Sequence, residues 1–143
     1  MRKQVIDASV AAKWVFPEEG SEAAEQLLEA MVGGQVQLIA PDSYVSELGN
    51  IAWKKAVLRK EVSLKEARDG LRFLLSVLPR LVPSPLLLED ALEIAVAHRR
   101  SVHDSLYVAL ARQEQCELVT ADQSLRQALE RAFPFIVGLP LTR

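Results

Sequence analysis

The chain has 143 residues, of which 50% are hydrophobic and 25% are charged, and its formal net charge is −2. This length and apolar share are typical of one domain with its own core, so we expect a single domain over residues 1–143. A net charge near zero provides no overall basic field, so any nucleic-acid contact must depend on local patches. The lone cysteine, Cys116, excludes an internal disulfide and favours a reducing, cytoplasmic location.

Neither a signal peptide nor a membrane span is expected. The first residues run directly into a short apolar strand, without an apolar stretch of signal-peptide length. The most apolar region, residues 71–88, is interrupted by Arg72, Pro79 and Arg80, which excludes an uninterrupted run of about 20 apolar residues.

Short apolar strands alternate with helical patterns along the chain. The predicted strands cover residues 4–6, 35–40, 81–82, 101–102, 117–120 and 134–137. The predicted helices cover residues 9–16, begin at Ser21, at residues 41–42 and at Ser63, and then cover 85–98, 103–115 and 124–131. This alternation predicts a parallel sheet covered by helices on both faces.

Acidic residues follow the predicted strands at four points. They are Asp7, Glu47, Asp104 and Asp122. Because sites in open parallel sheets form at the carboxyl ends of the strands, we expect these carboxylates to meet at one edge. Carboxylates gathered in this way repel one another unless a cation joins them, and Mg²⁺ or Mn²⁺ prefers such oxygen ligands. The pattern therefore favours metal-assisted hydrolysis of a phosphodiester.

Each acid also has a structural alternative. Asp7 and Asp122 could cap the helices that follow them. Asp104 lies three residues after Ser101, which is the spacing of a capping box. Glu47 lies beside an apolar helical stripe, from whose edge it could extend into solvent.

Two hydroxyls and four cations are further candidates for the site. Ser9 and Thr120 lie two residues from Asp7 and Asp122 and could orient those carboxylates, with capping and turn bonding as the alternatives. Four basic residues could hold phosphates, with a solvated helix face as the alternative. These basic residues are Lys54, Lys55, Arg99 and Arg100.

Four segments carry a family resemblance that covers nearly the whole chain. They are VIDASV at 5–10, SE at 46–47, HDSLYVALA at 103–111 and VTAD at 119–122. In this order and spacing, the sequence resembles PIN-domain ribonucleases, specifically the VapC-like toxins of prokaryotic toxin–antitoxin pairs.

The resemblance implies a three-layer α/β/α sandwich with a central, mostly parallel sheet of about five short strands. It also implies an endoribonuclease that depends on Mg²⁺ or Mn²⁺, a homodimer, and an antitoxin partner that blocks the acid site. Its catalytic and metal-binding residues would be Asp7, Glu47, Asp104 and Asp122.

Two other functions remain open. A receiver-like, phosphate-sensing signalling domain also gathers acids around Mg²⁺, but it needs a lysine after a late strand, and no lysine follows Lys65. The other is a PIN-fold module that binds RNA or protein without catalysis.

Overall fold

A five-stranded parallel sheet organises the part of the chain that the computed structural model describes, residues 1–139. The strands are β1 (Arg2–Ile6), β2 (Val36–Pro41), β3 (Arg80–Val82), β4 (Glu117–Thr120) and β5 (Ile136–Gly138). Their order is β3-β2-β1-β4-β5, so β1 is central and pairs with both β2 and β4. The predicted parallel α/β fold is confirmed.

Seven α-helices accompany the sheet within the described residues. They are α1 (Ala8–Ala12), α2 (Ser21–Val32), α3 (Ser43–Trp53), α4 (Leu64–Ser76), α5 (Leu88–His98), α6 (Val102–Glu114) and α7 (Gln123–Leu129). A π-helical turn over Lys54–Leu58 continues α3, and a short 3₁₀ turn over Ser84–Leu86 precedes α5. None of the helices in residues 1–139 is long and apolar enough to cross a membrane.

The hydrophobic core includes the central strands of the sheet and the helix packed against them. Strands buried on both faces read as continuous apolar runs, and Val5 and Ile6 of β1 and Leu118 and Val119 of β4 are fully buried. Helix α6 is buried along most of its length and contacts β1, β2 and β4. The arrangement is the three-layer α/β/α sandwich that the family resemblance implied.

The predicted strand at residues 101–102 is wrong. Ser101 is the N-cap of α6, and its hydroxyl accepts a hydrogen bond from the Asp104 amide at 3.1 Å. Ser101 and Val102 therefore begin a helix, because the Ser101 hydroxyl caps its first turn.

The first helix ends earlier than predicted, and the second begins at Ser21, as predicted, but has a different residue as its cap. The first helix ends at Ala12, because the amides of Lys13 and Trp14 bond three residues back and tighten the last turn. The N-cap of α2 is Gly20, with φ of 86°, whereas the Ser21 hydroxyl closes a turn with the backbone of Glu18. The predicted start of α4 at Ser63 is confirmed by a complete capping box with Glu66.

Leu110 and Leu92 form a matched pair for a test of this core. Leu110 in α6 is 1% exposed and Leu92 in α5 is 56% exposed. Leu110→Ala leaves a buried cavity and should lower the free energy of unfolding by about 2–5 kcal/mol. Leu92→Ala makes the same change in helix propensity and should alter it by less than about 0.5 kcal/mol. Urea unfolding followed by circular dichroism measures both, and equal losses would contradict the assigned core.

Candidate active site

Asp7 ends the central strand, and its residue is only 8% exposed. The Thr120 hydroxyl donates to Asp7 Oδ2 at 2.7 Å, and the Ser9 amide donates to Asp7 Oδ1 at 3.4 Å. Burial raises the pKa of Asp7, and the Asp122 carboxylate raises it further, against the opposing hydrogen bonds from Thr120 and Ser9. The site is therefore built around a carboxyl group that ionises less readily than an ordinary aspartate.

A short network joins Asp7 to Asp122 across β1 and β4. Besides donating to Asp7, the Thr120 hydroxyl accepts from the Asp122 amide at 3.0 Å. The Ser9 hydroxyl accepts from the Ala121 amide at 3.1 Å and so fixes the same connection. Both hydroxyls that the sequence singled out thus lie within the acid cluster.

Capping and clustering occur together at two of the acids. Asp7 is the N-cap of α1, and Asp122 is the N-cap of α7, where its Oδ1 accepts from the Leu125 amide at 3.1 Å. Both acids nevertheless line the same cleft. The capping role therefore orients these carboxylates and does not remove them from the site.

Glu47, in the second turn of α3, is held by a buried tyrosine. Tyr107 is 1% exposed, and its hydroxyl donates to Glu47 Oε2 at 2.8 Å. The other oxygen, Oε1, is buried and has no hydrogen-bond partner among residues 1–139. Burial, with the carboxylates of Asp7 and Asp104, raises the pKa of Glu47 to about 7 against the lowering effect of Tyr107.

Sequence reasoning missed the role of Tyr107. A signal was present, because Tyr107 lies three residues after Asp104 on α6, and residues at this spacing share one face of a helix. In the sequence, Tyr107 reads as one more apolar residue of the HDSLYVALA segment, and only the folded chain brings its hydroxyl to Glu47.

Asp104 lies in the first turn of α6 and forms an ion pair with Arg100. Arg100 Nη2 is 2.9 Å from Asp104 Oδ2, and Arg100 Nη1 donates to the Ser124 hydroxyl at 3.3 Å. Because α6 leads directly into the start of β4, its own first turn lies at the opposite, carboxyl edge of the sheet. Asp104 thus reaches the predicted edge from a helix, and Arg100 joins the starts of α6 and α7.

One cleft of about 740 Å³ brings the predicted acids together. Its lining includes Asp7, Glu47, Asp104 and Asp122, together with Lys54, Lys55 and Arg59. Arg99, which ends α5 with φ of 55°, is exposed and is not part of this lining.

The two adjacent lysines of the prediction have different environments. Lys54 is exposed, whereas Lys55 is 6% exposed and pairs with Glu18 at 2.8 Å and Glu61 at 3.0 Å. Lys55 is therefore a buried ion-pair residue, and we do not retain it as a phosphate contact.

The donor chemistry fits a hard divalent cation. The cleft offers carboxylate oxygens, and the unpartnered, buried Oε1 of Glu47 is the kind of group that a bound ion satisfies. Within residues 1–139, however, no three His, Cys, Asp or Glu side chains form a group that could hold a metal ion as they are placed here. One oxygen of Asp104 accepts a hydrogen bond from Arg100, and one oxygen of Asp122 accepts one from the Leu125 amide.

The fold and the site together define a class: a parallel α/β sandwich with an acidic cleft at the carboxyl edge of its sheet. Comparison with known proteins identifies the family within this class. The model of the PIN domain family matches residues 5–129. Ribonuclease VapC3 of Pyrobaculum aerophilum is 31% identical over 138 residues, which are 94% of this chain and 98% of that protein. The chain belongs to the PIN-domain family, among its VapC-like ribonucleases, as the resemblance predicted.

Solved structures confirm the fold independently of sequence. The crystal structure of PAE2754 from Pyrobaculum aerophilum matches with a TM-score of 0.70 at 22% identity, over 97% of this chain and 85% of that chain. The structure of VapC20 from Mycobacterium tuberculosis, described as a toxin that cleaves the sarcin–ricin loop, matches with a TM-score of 0.62 at 18% identity. That match covers 88% of this chain and 95% of VapC20.

The raised pKa of Glu47 predicts how stability depends on pH. The folded chain keeps this proton up to about pH 7, whereas an ordinary glutamate releases it near 4.5. Folded protein therefore binds more protons across this window, and the free energy of unfolding should fall as pH rises through it. Glu47→Gln cannot release a proton and should make this decline shallower, with Asp7 still contributing in the same direction.

Urea unfolding with a chelator at a series of pH values tests this dependence. Glu93→Gln, on the exposed part of α5, is the matched control and should reproduce the wild-type decline. If Glu47→Gln and Glu93→Gln decline equally, the assigned protonation of Glu47 is wrong.

Proposed function

We propose that this chain is a metal-dependent endoribonuclease that hydrolyses RNA phosphodiester bonds and acts as the toxin of a toxin–antitoxin pair. The observation that carries the proposal is the convergence of Asp7, Glu47, Asp104 and Asp122 on one cleft, from four different elements. Membership of the VapC-like ribonucleases supports the same activity.

Mg²⁺, with Mn²⁺ as a substitute, is the cofactor we propose. Asp7, Glu47, Asp104 and Asp122 would hold it, because they supply the oxygen ligands that both ions prefer. When bound, the cation would lower the pKa of the attacking water and neutralise charge on the phosphodiester.

The protein's own groups prepare this chemistry. Thr120 and Ser9 fix the Asp7 carboxylate at the end of β1, and Tyr107 fixes one oxygen of Glu47 while leaving the other available. Arg100 keeps Asp104 beside its acidic neighbours by compensating its charge. Hydrolysis itself adds water across one P–O bond of the RNA backbone and breaks that bond.

We further propose a cognate antitoxin, a homodimer and a cytoplasmic location, following the likeness to Ribonuclease VapC3. The antitoxin would act by covering the acidic cleft, since a group that occupies the carboxylates excludes both cation and RNA.

The receiver-like alternative has lost its support. The sheet does end its central strand in Asp7, as that alternative requires, but the family is that of PIN domains and no lysine follows Lys65. A PIN-fold module that binds RNA without cutting it is the alternative that the experiment must distinguish.

Cleavage of a labelled, structured RNA tests the proposed activity. We expect cleavage with Mg²⁺ or Mn²⁺ and none with chelator. Asp104→Asn should reduce the rate by at least on the order of 100-fold, because the acid cluster and its cation supply several kcal/mol of transition-state stabilisation. Asp69→Asn is the matched control, since Asp69 lies on the exposed surface of α4, and it should cut at the wild-type rate.

The outcomes separate the two functions. Metal-dependent cutting that Asp104→Asn abolishes supports the ribonuclease. Cation binding and RNA binding without any cutting would favour the binding module, and equal cutting by Asp104→Asn and wild type would contradict the acid-cluster mechanism.

A further inference from the structure

The cleft has a cationic wall whose geometry depends on the π-helical turn after α3. The backbone amide of Arg59 donates to the carbonyl of Lys54 at 3.0 Å, which is an i to i+5 hydrogen bond. In an α-helix, with about 100° per residue, side chains five positions apart diverge by about 140°. The wider π-turn instead brings the Arg59 amide onto the Lys54 carbonyl, so the two residues lie nearer the same side of the turn. Both residues line the cleft.

Lys55 holds this turn in place. Its ammonium group contacts Glu18, which follows α1, and Glu61, which follows the π-turn. Its carbonyl also accepts from the Glu61 amide at 2.9 Å, after a left-handed Lys60 with φ of 52°. The two carboxylates raise the pKa of Lys55 in spite of its burial, so the lysine remains charged and paired at neutral pH. A neutral side chain at this position would leave both glutamates without this cation.

Lys54 and Arg59 differ from Lys55 in having no assigned partner. Neither side chain makes a hydrogen bond or ion pair with any residue in the range 1–139. Both lie in a cleft that also contains the acid cluster, so a polyanion held by these cations would approach the carboxylates. Buried acids cannot attract a phosphodiester by themselves, and uncompensated cations on the same cleft supply the missing attraction.

We propose that Lys54 and Arg59 form a phosphate-binding ledge for the RNA backbone, set in register by the π-turn, and that Lys55 is the positioning residue that holds it. This inference rests on the proposed function, because it takes RNA as the ligand of the cleft. A backbone phosphate on the ledge would align the strand along the cleft without reading its bases.

The salt dependence of RNA binding tests the ledge directly. The probe is a fluorescent single-stranded RNA, and binding is measured in chelator, so that cleavage does not occur. Each phosphate contact contributes about 0.7 to the slope of log K against log salt, so Lys54→Gln/Arg59→Gln should reduce the slope by about 1.4. The matched control, Arg2→Gln/Arg68→Gln, removes the same charge from exposed residues outside the cleft lining and should leave the slope unchanged.

A double-mutant cycle separates positioning by Lys55 from direct contact. Lys55→Gln alone should reduce the slope, because the π-turn would lose its contacts with Glu18 and Glu61 and would no longer hold Lys54 and Arg59 in position. The triple variant, which adds Lys55→Gln to Lys54→Gln/Arg59→Gln, should have the same slope as the double variant, since Lys55 touches no phosphate. A further loss in the triple variant would overturn the positioning role, and thermal unfolding verifies that each variant is folded. If Lys55→Gln does not fold, the ledge variant and its control still decide the main proposal.

Cleavage by the wild type with Mg²⁺, measured separately, keeps this inference distinct from the proposed function. A slope shift without wild-type cleavage supports the ledge and rejects the ribonuclease. Cleavage with an unchanged slope in Lys54→Gln/Arg59→Gln supports the ribonuclease and rejects the ledge. If both hold, the ledge variant should raise KM more than it lowers kcat, because it removes binding remote from the reacting bond.

Discussion

The burial of a carboxyl group at the end of the central strand is the constraint on which the rest of the site depends. Asp7 lies between β2 and β4, so its neighbours in space come from the connections that follow those strands. Its burial is tolerated because Thr120 and Ser9 donate to it and because other charges in the cleft are partly compensated. Moving Asp7 by one residue would turn its side chain to the other face of the sheet. The cleft would then keep the other three acids and lose the Asp7 carboxylate.

Much of this arrangement could be predicted from local patterns. The short apolar run before Asp7 and the segment 117–120 before Asp122 were both predicted as strands, and both are strands in the structure. A short run of buried apolar residues is a local pattern, so it can be recognised without knowing the rest of the fold. Asp104 was expected at the start of a helix, and it lies in the first turn of α6, but the strand predicted just before it is the N-cap of that helix. The serine three residues before it is the signal that should have outweighed the β-branched Val102, because an N-cap needs only the following turn, whereas a strand needs a neighbour.

Contacts between distant segments could not be predicted in the same way. Lys54 and Lys55 are adjacent in sequence and equal in chemistry, yet one is exposed and the other is buried between two glutamates from different connections. Adjacent residues of a helix point in different directions, and only the folded chain shows which of the two meets Glu18 and Glu61. The i to i+5 bond of the π-turn likewise has no sequence signature of its own. The bond from Tyr107 to Glu47 joins residues 60 positions apart and likewise exists only in the folded chain.

The charges of the cleft follow from one electrostatic problem. Four carboxylates in one cleft repel one another, and the chain lowers that cost in two ways: Glu47 keeps its proton up to about pH 7, and Arg100 pairs with Asp104. Both devices involve groups that a divalent cation would replace, since the cation competes with the proton on Glu47 and with the guanidinium on Asp104. If the proposed ledge of Lys54 and Arg59 holds an anionic strand, the same exchange would free Arg100 to interact with it. The proton on Glu47 and the guanidinium group beside Asp104 therefore stabilise the acid cluster in the absence of a cation, and both would have to give way if the proposed cation binds.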